Sequence, residues 1–163
     1  MKNSECFFSF EEAQNKIEYW CGYRDRSVHE TIQKLISYGQ PEKDIVKIIS
    51  HLKELNFLDD ERFVNSFVSG KFRIKQWGRK KIYLQILQKR VDKELIQKAL
   101  YEIDDQEYFN TIGHLIDKKT RLLSNEKDLW KKKQKILQYL ISRGYEYDLV
   151  QEVMASKSRE EKP

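Results

Sequence analysis

The sequence predicts an all-α protein built as a tandem array of three three-helix units. Three observations carry this: one-sided helical periodicity nearly throughout, segments that repeat one another, and few helix breakers. Six glycines and two prolines among 163 residues are few, while Lys, Glu, Leu, Ile and Gln abound, which favours helix. Ile45, Ile48, Ile49 and Leu52 follow the i, i+3, i+4, i+7 spacing of a helix with one apolar face. The same spacing recurs in Phe63, Val64, Phe67 and Val68, in Leu95, Ile96, Ala99, Leu100 and Ile103, and in Ile136, Leu137, Leu140 and Ile141. No run alternates apolar and polar residues, so no strand is predicted.

Taken in chain order, Ser9 and Glu12 have the spacing of a capping box and open a first helix through Trp20. YRDRS (23–27) joins it to a second helix, with Ser27 as N-cap and Glu30 at the third position. Three segments, 32–52, 83–103 and 136–156, then read alike: Leu35, Ile86 and Leu140 align, as do Ile45, Ile96 and Val150, and Ile49, Leu100 and Met154. Each is a helix, a turn and a second helix, with Gly39, Arg90 or Gly144 at the turn. Glycine suits a left-handed helix stop, whereas arginine predicts a different geometry in the middle segment. A further helix precedes the second and third pairs. DDERFVNSF (59–67) and DDQEYFNTI (104–112) match at an offset of 45. An aspartate before an amphipathic helix accepts its unpaired N–H groups and opposes its positive end. Asp59 or Asp60 is therefore expected to cap, with Phe63 starting the buried face. The units are 1–58, 59–103 and 104–157, the third with a longer connection at 120–130, and 158–163 forms a disordered tail.

Composition excludes several classes. No apolar run approaches a membrane span, and the first ten residues lack the apolar region of a signal peptide. Cys6 and Cys21 belong to no CxxC pattern and read as ordinary, partly buried thiols of a reduced, cytoplasmic protein. His29, His51 and His114 lie in three helical regions with no ligand spacing, so no metal is expected. No GxxxxGK[ST], GxGxxG or GxSxG element is present. Nothing points to an enzyme or a cofactor, and the paired aspartates, being repeated, fit capping better than acid–base catalysis.

Charge is the positive signal. Residues 59–103 hold 11 basic and 6 acidic side chains, a local net of +5 that equals the net charge of the whole chain. Within it, GKFRIKQWGRKK (70–81) places Lys71, Arg73, Lys75, Arg79, Lys80 and Lys81 around Phe72, Trp77 and the turn at Gly78. Lysine and arginine neutralise phosphates, and the two aromatics either stack on unpaired bases or belong to the core. Lys131, Lys132 and Lys133 extend the basic character, and Arg24 and Arg26 lie on a loop where guanidinium groups can grip carboxylate or phosphate.

These residues, in this order, resemble the bacterial regulatory protein family RecX. Arg24, Arg26 and Ser27 match its Arg-x-Arg-Ser segment. Leu58, Asp59, Asp60, Arg62 and Phe63 match Leu-Asp-Asp-x-Arg-Phe, and Gly78, Ile82, Ala99 and Leu100 match the third segment. The likeness is strong over 17–103 and weaker over 104–156. It departs at Lys89-Arg90, where the family usually has Lys-Gly. The resemblance implies an elongated, curved array that binds the groove of the RecA filament on single-stranded DNA. It further implies a non-enzymatic modulator, acting as an inhibitor of ATPase and strand exchange, within homologous recombination, DNA repair and the SOS response. On that reading Arg24, Arg26, Arg62, the cations of 71–81 and Lys131–Lys133 face the filament or its DNA, single- or double-stranded, and the protein acts as a monomer. Rival readings are a helical-repeat protein that binds DNA without RecA, and a protein-only scaffold.

Overall fold

Residues 7–160 are described in the computed structural model of the chain. Among them are nine helices and no strand: α1 (Phe10–Tyr23), α2 (Val28–Ser37), α3 (Glu42–Glu54), α4 (Asp60–Arg73), α5 (Arg79–Leu87), α6 (Lys93–Tyr101), α7 (Asp105–Leu122), α8 (Leu129–Ser142) and α9 (Tyr147–Glu160). Two compact units divide the chain. One holds the residues up to Phe67 together with Ile86–Ile96, the other Val68–Gln85 and the residues from Gln97 on, so α4, α5 and α6 contribute to both.

In the first unit α1, α2 and α3 pack on one another around Ile17, Leu35, Ile48 and Leu52, all without solvent exposure. Each such side chain contributes about 1.5–3 kcal/mol of apolar burial. Cys21 joins this core as a free thiol, its pKa pushed up by burial. Both expected capping boxes are present: Ser9 with Glu12, and Ser27 with Glu30. Asp59 caps α4, its Oδ1 accepting from the Arg62 N–H at 2.9 Å. Asp60 instead reaches across to α2, where its Oδ1 accepts from the Val28 N–H at 3.0 Å. The pair thus serves two helices, each carboxylate placed at a positive helix end.

In the second unit α7, α8 and α9 pack on one another, and Asp104 caps α7 through the Glu107 N–H at 2.7 Å. Phe72, Tyr108 and Tyr145 form a buried chain of rings, with centroids 5.6 and 5.2 Å apart. Their hydroxyls are satisfied: Tyr108 accepts from the Arg79 N–H and donates to Glu146, and Tyr145 donates to the Gln76 carbonyl. Burial holds both phenols far above their ordinary pKa. Gly78 lies against the turn between α8 and α9, where its N–H donates to the Arg143 carbonyl at 2.8 Å. A Cβ on Gly78 would collide with the backbone of Gly144, so the glycine is required by close approach. Helix α9 continues through residues 158–160, where a tail was expected. Ser158 Oγ donates to the Met154 carbonyl, and Lys157 and Arg159 lie in the last turn, where the helix dipole favours cations. The rest of that tail, residues 161–163, and Cys6 lie outside the described residues.

The three repeat turns differ less than their residues do. Gly39 (φ 77°), Arg90 (φ 51°) and Gly144 (φ 91°) are all left-handed, so the different geometry expected at Arg90 is not found. A helix stop of this type sets the backbone, and the exposed Arg90 side chain bears the conformational cost that glycine avoids.

Candidate nucleic-acid interface

The 71–81 edge lies in the second unit and is built from the last turn of α4, the intervening turn and the start of α5. Gln76 in that turn is left-handed (φ 52°), and its carbonyl accepts from Arg143 Nε at 3.1 Å and from the Tyr145 hydroxyl at 3.1 Å. Arg143 Nη2 also donates to the Lys75 carbonyl. The strained turn is therefore clamped by an arginine distant in sequence, which periodicity does not reveal.

The expected cations fall into two groups. Arg79 is turned inward: Nε donates to the Leu100 carbonyl at 3.3 Å, and Nη2 to the Ile103 carbonyl at 3.1 Å and Asp105 at 2.8 Å. Its guanidinium lies 4.1 Å from the Tyr108 ring centroid, and the side chain is 23% exposed. It closes the C-terminal carbonyls of α6, with its Nε and Nη2 donors directed at acceptors within the unit. Arg62, in the first unit, is spent the same way, on Asp25 at 2.8 Å, both oxygens of Asn56 and the Phe57 carbonyl. Asn56 is itself left-handed (φ 60°), so this arginine too clamps a strained turn. Hydrogen bonding from Arg62, against some burial, holds Asp25 below the usual carboxylate range, and Ser66 adds a second donor at 2.8 Å.

The other group is exposed or half-buried. Lys75 and Lys80 are exposed, and Arg73 is exposed while pairing with Glu107 at 3.3 Å. Lys71 and Lys81 place their ammonium groups 4.8 and 4.7 Å from the Trp77 ring centroid. Of the two roles open to the aromatics, core packing is the one Phe72 takes. Phe72 is 2% exposed and belongs to the core, and the half-buried Trp77 is already faced by two cations, so neither ring offers a free stacking platform. Lys131, Lys132 and Lys133 occupy the first turns of α8, behind the Asp128 cap that holds the Trp130 and Lys131 N–H groups.

In the first unit Arg24 is exposed. Arg26 stacks on Trp20 at 3.9 Å, and burial, with the Arg24 charge, lowers its pKa. Its buried Nε has no hydrogen-bond partner. Lys89 donates to Glu30 at 2.7 Å, an ion pair that the spacing of the sequence did not indicate. Among the described residues no group of three or more His, Cys, Asp or Glu is arranged to hold a metal ion, and no helix is long and apolar enough to cross a membrane.

Family profiles for "RecX, second three-helix domain" and "RecX, third three-helix domain" match residues 59–100 and 105–154. The regulatory protein RecX of Clostridium botulinum strain Eklund 17B is 37% identical over 122 residues, covering 74% of this chain and 57% of that protein. That of Clostridium beijerinckii is 30% identical over 155 residues, covering 94% of this chain and 70% of its own. The chain spans just over half the length of the first curated relatives it matches. A crystal structure of RecX from Lactobacillus salivarius superposes with a TM-score of 0.82 at 24% identity, over 90% of this chain and 95% of that one.

Proposed function

The chain belongs to the RecX family, and from that premise we propose that it is a non-enzymatic modulator of the RecA recombinase. It binds the RecA filament on single-stranded DNA and suppresses ATPase and strand exchange. The observation that carries the reading beyond membership is the clamped, lysine-bearing edge of the second unit. Lys71, Arg73, Lys75, Lys80 and Lys81 lie on a short stretch of backbone whose shape is held by Arg143 and Gly78. A fixed cluster of cations suits a polyanionic groove better than a mobile one, because less ordering is required on binding. Arg24 and Lys131 add contacts, while Arg62 and Arg79 serve by holding the fold. Binding across neighbouring recombinase subunits hinders the rearrangement that accompanies nucleotide turnover.

RecA ATPase on single-stranded DNA, measured with increasing amounts of the protein, tests this directly. A progressive fall is expected, weakened when Lys75 and Lys80 are both changed to Glu. No change at several-fold excess over filament subunits sinks the proposal. The exposed lysines also favour a second reading, direct DNA binding without RecA. Tight binding to naked DNA at physiological salt, with no gain from RecA, would select it.

A further inference from the structure

A second surface of the second unit is unrelated to the 71–81 edge. Helices α7, α8 and α9 enclose a groove of about 520 Å³, within the size range of ligand pockets. Its aliphatic lining comes from Ile116, Ile136 and Met154, and its rim from Leu129 and Trp130, which are 74% and 69% exposed. Two large apolar side chains side by side in water, beside a recess lined with aliphatic groups, are unusual on a small helical unit.

The charge around the groove is one-sided. Lys132, Lys133 and Lys157 line it, against one acid, Asp117, which pairs with Lys157 at 2.8 Å. Among the described residues neither Lys132 nor Lys133 has an ion-pair partner. These lysines also stand in the first turns of α8, where the helix dipole disfavours cations and no acid follows the cap. Two lysines without an ion-pair partner beside an apolar recess fit a site shaped for something outside the chain.

We propose that this groove docks an acidic, amphipathic helical segment of a protein partner. Apolar anchors one turn apart would sit on Ile116, Ile136 and Met154 against Trp130, and carboxylates on either side would meet Lys132 and Lys133. Helix-in-groove recognition uses this combination of apolar recess and charged rim. The aliphatic lining favours side chains over nucleobases, which need aromatic faces to stack on. The inference does not depend on the recombinase reading.

Random dodecapeptides displayed on phage, panned against the full chain, test it. A consensus with two bulky apolar residues three or four apart, flanked by Asp or Glu, is expected. A fluorescent consensus peptide should lose at least about tenfold in affinity when Leu129 and Trp130 are changed to Ala. A comparable loss is expected for Lys132→Glu with Lys133→Glu. Leu129, Trp130 and Lys133 are exposed and Lys132 is half-buried, and circular dichroism checks that the variants fold. The proposal is overturned by the absence of a consensus, by a basic one, or by affinities that neither variant changes. It is equally overturned if the variants weaken oligothymidylate binding and leave the peptide's unaltered, which assigns the groove to nucleic acid.

Discussion

Changing Arg79 to Met keeps the apolar stem and removes the guanidinium, and its cost can be worked from the contacts. The hydrogen bonds to the Leu100 and Ile103 carbonyls contribute about 1 kcal/mol each, since both acceptors are buried with their residues. The contact with the Tyr108 ring at 4.1 Å adds about 0.5–1 kcal/mol. The Asp105 pair, whose carboxylate is 80% exposed, adds about 0–0.5 kcal/mol. The expected loss is about 2.5–3.5 kcal/mol, a fall in Tm of about 5–14 °C for a chain of this length. Arg79→Lys retains charge but not the fork that spans two carbonyls, so it should recover less than half of the loss. Lys80→Met, one residue on and exposed, should stay within about 0.5 kcal/mol of the parent. Urea unfolding followed by circular dichroism measures all three. If Arg79→Met unfolds with Lys80→Met, or if Lys restores full stability, the inward role of Arg79 is refuted.

Asp59→Ala and Asp60→Ala should each lower stability by about 1 kcal/mol, because one carboxylate caps α4 and the other holds the α2 N–H. The double variant should lose the sum in the same unfolding assay; a double no worse than either single variant would contradict separate roles. Arg90→Gly should raise Tm, with a gain of about 0.5–1 kcal/mol from removing a left-handed non-glycine residue. An unchanged or lower Tm would show that the Arg90 side chain earns its strained place. The lowered pKa of Asp25 predicts a pH effect. Its contribution is present above the unfolded carboxylate pKa of about 4 and is lost as pH falls through the lower folded value. Unfolding curves of the parent and of Asp25→Asn should therefore converge on acidification below about pH 4, and a constant gap would count against the Arg62 pairing.

The fold was legible because its signals are local. Capping boxes at Ser9 and Ser27 and the apolar stripe of α3 each depend on residues within a few turns, and the repeat of Leu35 at Ile86 and Leu140 needs only the chain compared with itself. The turn at Arg90 was misjudged because glycine was taken as the mark of a left-handed stop, whereas the backbone requirement persists when the residue changes. The candidate edge was legible as a charge excess and illegible as a set of side-chain roles. Whether Arg79 faces solvent or the end of α6 depends on Leu100 and Ile103, more than twenty residues away, which no period encodes. Arg143 escaped notice for the same reason: its targets, the carbonyls of Lys75 and Gln76, are reached only through tertiary structure.

That sorting of the cations has a consequence for what the edge can recognise. Arg62, Arg79 and Arg143 are held on backbone carbonyls, and Arg26 is stacked on Trp20, so much of the guanidinium chemistry is internal. Lys75 and Lys80 remain in solvent as point charges without a fork to match a base edge. With Trp77 and Phe72 also occupied, contact with DNA should be made through phosphates and be indifferent to sequence. Lys75→Ala with Lys80→Ala should then flatten the dependence of log K on log salt by about 0.7 per lysine lost on single strands. Oligothymidylate and mixed-sequence strands should weaken alike. A loss confined to one base composition, with the salt slope unaltered, would mean that the edge reads bases by groups other than these lysines.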